Sequence, residues 1–156
     1  MYKVERNFQP YVFGPIPTWE EPKRERHGYK MEPVFLKNNE EILYLVSGNK
    51  ENLKGCTCNG FNLLDSSSAE GAGEKHLPVV ERQGSKITVK VGSIFHPMTE
   101  EHSIGWIFLE TKKGGQFVKL SPNGQPVGEF VLAQGDEAVA AYAYCNLHGF
   151  WKTDIS

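Results

Sequence analysis

Three short clusters limit what this chain can fold into, because any architecture that uses them must bring them to one place. They are Glu74-Lys75-His76, then His96-Pro97-Met98-Thr99-Glu100-Glu101-His102, then Cys145-Asn146-Leu147-His148. Together they hold four of the chain's five histidines and one of its three cysteines. Histidine is the commonest metal ligand and is otherwise spread thinly over protein surfaces. Four neutral nitrogen donors and one thiolate would hold a redox-active first-row metal and leave one coordination position over.

The surrounding sequence says how the clusters could meet. Ser66-Ser67-Ser68-Ala69-Glu70-Gly71-Ala72-Gly73 has the small, flexible composition of a linker. After it, short alternating runs recur at strand length. Ile87, Val89 and Val91 face one way while Thr88 and Lys90 face the other, as in a half-buried strand. Ile104, Trp106 and Phe108 alternate with Gly105 and Ile107, in a run that reads as buried on both sides. The stretches 117–120, 129–132 and 138–144 follow. Turn chemistry separates them at Gly114-Gly115, Ser121-Pro122-Asn123-Gly124 and Gln134-Gly135-Asp136. Only the alanine-rich stretch 138–144 has helical composition, and it is short and bounded by a turn.

The expectation is an all-β chain: an immunoglobulin-like antiparallel β-sandwich over residues 74–156, a linker over 66–73, and a small, loop-rich N-terminal unit over 1–65. In that unit 42–46 and 61–64 read as strands. Pro15, Pro17, Pro22 and the charged run 20–26 read as loop. Every histidine of the clusters then falls at a strand end or a turn, so one end of a sandwich could gather all four.

Composition narrows the function classes. A chain of 156 residues suits one domain, or a domain with an appendage, and 39% hydrophobic with 12% aromatic content suffices for a core. A net charge of -2 makes no electrostatic case for nucleic acid. No apolar stretch reaches the length needed to cross a bilayer, and the first residues lack the apolar core of a secretory signal. Three cysteines are odd in number and too few for a disulfide scaffold, so a reducing cytoplasm is the expected setting.

Each cluster taken singly has an ordinary explanation. A histidine like His76 is commonly a surface or capping residue, and a buried thiol like Cys145 is usually a small hydrophobe. His96 and His102 are six apart with Pro97 between, so they do not share a helical face. They suit a loop whose two ends approach one centre. Cys145 and His148 have the C-x-x-H spacing that lets one turn present sulfur and nitrogen to one ion. The combination outweighs these separate explanations. A lone thiolate among imidazoles suits iron, copper or zinc and disfavours magnesium or calcium. Five donors exceed the tetrahedral set of zinc, and a blue-copper site would leave two histidines surplus. Four nitrogens with one sulfur mimic a thiolate-ligated haem, which points to non-haem iron.

These motifs resemble the superoxide reductases, the iron domain of desulfoferrodoxin and neelaredoxin. That family's signature reads E-K-H-x-P, then H-P-M-x-x-x-H-x-I-x-W-I, then C-N-x-H-G-x-W. This chain has Glu74-Lys75-His76-Leu77-Pro78, then His96-Pro97-Met98 through His102-Ser103-Ile104-Gly105-Trp106-Ile107, then Cys145-Asn146-Leu147-His148-Gly149-Phe150-Trp151. The resemblance covers residues 74–156 and implies one mononuclear iron per chain. His76, His96, His102 and His148 would be equatorial and Cys145 axial. The implied activity is one-electron reduction of superoxide to hydrogen peroxide, with rubredoxin or a similar small carrier as electron donor. Lys75 would attract the substrate, and Glu74 would ligate ferric iron after the product leaves. Trp106 and Trp151 would pack around the site. The competing classes are a non-enzymatic iron protein, for redox sensing or electron transfer, and a module with a structural zinc.

The chain departs from the family near its start. Full desulfoferrodoxins carry a second iron held by four cysteines in an N-terminal unit. Here Val4 and Asn7 stand where the first pair would be, and Cys56-Thr57-Cys58-Asn59 retains an altered second pair. Two sulfurs cannot close a tetrathiolate site, so no second iron is expected. Cys56 and Cys58 read as free thiols, and His27, beside Arg24 and Arg26, as a solvated histidine. The family's two-iron members pair through that unit, so a homodimer is the first expectation and a homotetramer the second.

Overall fold

The computed structural model describes residues 32–39, 41–46, 53, 60–66 and 71–155. All of them fall within one compact unit, Glu32–Ser156. His27, Cys56 and Cys58, and with them the expected absence of a second iron, lie outside the described residues.

Period-two alternation organises the C-terminal part as expected. Strands β4 (Pro78–Gln83), β5 (Lys86–Val91) and β8 (Val127–Val131) form one antiparallel sheet in the order β4-β5-β8. Strands β6 (Ile104–Thr111), β7 (Gly114–Lys119), β9 (Ala138–Cys145) and β10 (Gly149–Asp154) form a second, in the order β10-β9-β6-β7. Ile87, Val89, Val91 and Phe130 of the first sheet pack against Ile104, Ile107, Leu109, Ala141, Ala143 and Cys145 of the second. This is the core of the sandwich.

The alanine-rich stretch is a strand for a reason visible in its parity. Ala141, Ala143 and Cys145 face the sandwich core, while Ala140, Tyr142 and Tyr144 face the other side of the sheet. Small residues on one face and tyrosines on the other suit a strand paired on both edges; a helix would mix the two sets. In β6, a register irregularity between Ile104 and Trp106 lets both Ile104 and Ile107 reach the core, although they are three apart.

The outer face of the four-stranded sheet carries the second cluster. Phe35, from β1 (Val34–Lys37), inserts among Phe108, Tyr142, Tyr144 and Phe150, with Trp106 packed alongside. The Phe35 ring lies 5.1–6.5 Å from the rings of Tyr44, Trp106, Phe108, Phe117, Tyr142 and Phe150. β1 is the middle of a third sheet, with β2 (Ile42–Leu45) and β3 (Asn62–Leu63) on either side. At the base of this layer the Tyr142 hydroxyl donates to buried Glu110 at 2.8 Å. Burial, and then the Glu110 carboxylate, push the Tyr142 phenol well above its usual range.

Sequence patterning located β2, β3 and β5 to β9 and missed β1, β4, β10 and the single-turn helix α1 (Gly73–His76). Gly114 and Gly115 belong to β7 rather than to the turn, which is Lys112–Lys113. Gly115 is required by packing: a Cβ there would collide with the Phe108 ring. Among the described residues, no helix is long and apolar enough to cross a membrane.

Strand ends place the clusters. Pro78 at the start of β4 pairs with Val91 at the end of β5, and Cys145 at the end of β9 pairs with both Ile104 and Gly149. These five ends share one edge of the sandwich, and each donor residue of the clusters sits at or beside one of them.

Phe35 is 1% exposed and is the hub of the outer aromatic layer. Phe35→Ala should therefore cost about 3–5 kcal/mol of unfolding free energy in urea. A loss below about 1 kcal/mol would show that the third sheet does not depend on this side chain.

Candidate metal centre

His76 is delivered by α1, His96 and His102 by the two ends of the loop after β5, and Cys145 and His148 by the turn between β9 and β10. Each support has a local cause. Gly92, at φ 83, turns the chain so that its amide donates to the Leu77 carbonyl, and a Cβ on it would strike the Ile94 and Lys75 carbonyls. The Glu74 carbonyl then accepts from the Ile94 amide at 3.2 Å and from the Ser93 hydroxyl at 3.1 Å. These bonds pin α1 against the loop that carries His96. Asn146 joins the other two segments. Its amide and side-chain carbonyl bridge to Ser103 at 3.2 and 3.0 Å, and its side-chain NH2 donates to the Glu101 carbonyl at 2.9 Å. The Ile104 amide donates to the Met98 sulfur at 3.4 Å, which closes the loop from within.

One donor atom from each of His76, His96, His102, Cys145 and His148 comes within 4.8 Å of all the others. The imidazoles form a nearly square array. Neighbouring ring centroids are 4.7, 4.5, 5.0 and 4.9 Å apart around the circuit His76, His96, His102, His148, and the diagonal from His76 to His102 is 6.4 Å. Neighbouring rings meet edge-on, at 70–86°. His76 Nε2 and His148 Nδ1 are 3.1 Å apart, and the Cys145 sulfur is 3.9 Å from the same His148 nitrogen.

Hydrogen bonds select which nitrogen points inward. His76 Nδ1–H donates to the Ala72 carbonyl at 2.7 Å, and His96 Nδ1–H donates to the Pro97 carbonyl at 2.6 Å. Each ring is thereby fixed with its Nε2 unprotonated, the usual way a protein orients an imidazole ligand. Nε2 of His96 and of His102 are buried without any hydrogen-bond partner. Such atoms are costly unless something binds them, and a metal ion is what their chemistry fits. The Cys145 sulfur is fully buried and accepts the His148 amide at 3.3 Å. A soft thiolate with imidazoles suits iron, copper or zinc, so the donor set fits the group expected from the sequence.

Burial also disfavours the protonated form of His76, His96 and His102. Burial pushes His96 down to about 4, against the pull of the Pro97 carbonyl, and the neighbouring histidines lower it further. Burial likewise holds His76 and His102 below their ordinary value, with His148 and the Lys75 ammonium contributing. Lys75 and Glu74 are exposed on α1, next to His76. Trp151 stacks on His76 at 4.7 Å and 17°. Among the described residues, Trp106 has ring contacts with Phe35, Phe117, Tyr144 and Phe150 and none with the four histidines. It stacks on Tyr144 at 5.6 Å on the opposite face of the sheet, because the β6 irregularity sends it outward. Sequence reasoning missed the supporting roles of Gly71, Ala72, Gly92, Met98 and Asn146. Met98 and Asn146 stand inside the motifs, so their position was the available signal.

Acid should therefore destabilise the metal-free protein. Its buried histidines have folded pKa values below the unfolded 6.5, so the unfolded chain takes up protons first as pH falls. The stability from keeping them neutral is complete above 6.5 and lost as pH falls through about 4 for His96. The apoprotein Tm should decline across that window, and metal-loaded protein should hold its Tm further into acid. A flat apoprotein profile would show that the imidazoles are not buried in neutral form.

Comparison with known proteins agrees with the geometry. The Desulfoferrodoxin family model matches residues 68–154. A desulfoferrodoxin of Clostridium acetobutylicum is 37% identical over 119 residues, covering 76% of this chain and 92% of its own length. A superoxide reductase of Pyrococcus horikoshii is 37% identical over 105 residues, covering 56% of this chain and 91% of its own length. The crystal structure of the superoxide reductase from Treponema pallidum superposes with a TM-score of 0.68 at 35% identity, covering 79% of this chain and 99% of that one. The C. acetobutylicum and T. pallidum matches are longer than segment 74–156, so they include N-terminal residues as well. The family match begins before the first donor residue and ends after the last, and on that span the chain belongs to the desulfoferrodoxin family.

Proposed function

We propose that the protein is a superoxide reductase that binds one iron per chain through His76, His96, His102, His148 and Cys145. The observation that carries this reading is the meeting of five donors from three segments, with two buried Nε2 atoms that have no other partner. The names of the relatives and of the solved structure support it. The square array of imidazoles, with the sulfur beside it, supports a set in which the four histidine nitrogens and the Cys145 sulfur would together hold the iron.

The reaction consumes one superoxide, one electron and two protons and yields hydrogen peroxide. Bound iron would supply the electron and be recharged by rubredoxin or a similar small carrier. The chain's own residues do the rest. Burial favours the neutral form of His76, His96 and His102, which is the form that binds a metal. The His148 amide bond to the Cys145 sulfur tempers the thiolate's charge. Lys75 places a cation at the mouth of the site, where its charge already disfavours protonation of His76 and His102. The same field would draw in a small anion and raise its rate of arrival. Glu74 shares α1 with Lys75 and is the carboxylate near enough in sequence to His76 to serve as an exchangeable ligand. A homodimer in a reducing cytoplasm completes the reading, with a homotetramer as the alternative assembly.

Pulse radiolysis of reduced, iron-loaded protein tests the activity. One peroxide should appear for each superoxide consumed, with no oxygen released; half a peroxide with oxygen would mean dismutation instead. Lys75→Ala should slow superoxide capture about tenfold at low salt, with the gap closing as ionic strength rises. Equal rates at low salt would remove Lys75 from substrate attraction. Cys145→Ser should abolish the thiolate-to-iron absorption, and an unchanged band would remove the sulfur from the ligand set.

A further inference from the structure

His76 is the donor with the weakest support of its own. It arrives on a single helical turn directly after the linker, and a helix that short does not hold itself. Its ring is nonetheless gripped on three sides. Nδ1–H bonds to the Ala72 carbonyl at 2.7 Å, and Gly71, at φ 127, lies so close that a Cβ would sit 3.1 Å from His76 Cε1. The third grip is the Trp151 indole, stacked on the imidazole face at 4.7 Å and 17°. Among the described residues, the rings of His96, His102 and His148 have ring contacts only with other histidines of the cluster.

Trp151 has a second attachment. Its Nε1–H donates to the His148 carbonyl at 3.1 Å, while the His148 amide donates to the Cys145 sulfur at 3.3 Å. The indole is 8% exposed and anchored in β10, opposite Ala143 of β9. One rigid side chain thus touches the ring of one donor and the backbone of another, and those two donors come from segments 72 residues apart. We propose that Trp151 is a positioning residue for metal capture: it sets the plane of the His76 imidazole and ties that ring to the turn bearing Cys145 and His148. This rests on the reading of the five-residue cluster as a metal site.

The alternative is that the indole only fills space. The two roles separate in a cobalt titration of the apoprotein, followed by the thiolate-to-cobalt and ligand-field bands, with variants Trp151→Phe and Trp151→Leu alongside. Phe keeps a stacking ring and loses the N–H; Leu keeps apolar bulk and loses both. A positioning role predicts a roughly 10–100-fold loss of Co2+ affinity and shifted ligand-field bands in Trp151→Leu, with Trp151→Phe falling between Trp151→Leu and the parent because it keeps the stacked ring and loses the N–H tie. A space-filling role predicts a lowered apoprotein Tm with cobalt affinity and band positions unchanged, and that result overturns the proposal. Proton NMR of the unmutated apoprotein gives a check that needs no variant. The His76 ring protons should carry the upfield ring-current shift of a stacked indole, and ordinary shifts overturn the proposal. If the unmutated chain takes up no cobalt at all, the metal-site reading falls and this inference falls with it. If it binds cobalt and both variants bind it identically, this inference alone is lost.

Discussion

Five electron-pair donors crowded into one small volume at the end of a β-sandwich are the constraint on which the rest of the structure turns. Lone pairs brought this close repel one another, and burial removes the water that would otherwise relieve them. Protons could relieve them too, but burial holds His76, His96 and His102 below their usual proton affinity. The polypeptide can sustain such a cluster only because each donor is held from behind. The Ala72 and Pro97 carbonyls fix two rings, Asn146 ties two loops together, and the His148 amide meets the sulfur. A cation would settle the cluster, and its arrival would convert a local liability into cross-links among three segments.

The four-stranded sheet makes that concentration tolerable by being buried on both faces. Towards the sandwich core it presents isoleucine, leucine, alanine and the thiol; towards the other side it presents tyrosine, phenylalanine and tryptophan, capped by Phe35. Aromatic contacts add roughly 0.5–1.5 kcal/mol each beyond simple burial. A rigid middle layer suits a cluster of this kind, since the donors at its edge inherit the precision of the strands. Trp151 connects the two, since it belongs to β10 and stacks on a histidine that no strand contains.

Much of this was legible in the residues themselves. Ile87, Val89 and Val91 declare a half-buried strand, and the run from Ile104 declares one covered on both faces, because period-two alternation survives without knowledge of the partner strand. All five donors stood out because the chain spends its histidines almost nowhere else. What stayed hidden depends on long-range packing. Pro78–Gln83 is apolar only at its start, and β10 is dominated by motif residues, so neither announces a strand until its neighbour supplies the pairing. Trp106 lies in the motif yet on the wrong face for the site, since one register irregularity in β6 reverses its side. Gly115 reads as a turn residue by type, and only the Phe108 ring above it explains why it stands in a strand.

Strand parity has one more consequence. Cys145 faces the donors because it shares a side with Ala141 and Ala143, and its neighbour Tyr144 shares a side with the aromatic layer. Inserting or deleting a single residue within β9 would exchange the two sets, carrying the sulfur into the phenylalanine and tyrosine layer and a phenol towards the histidines. The length of this strand is thus held to an even step. Its sequence can drift in size and polarity, but its phase cannot, and the loops at either end must absorb any change in length.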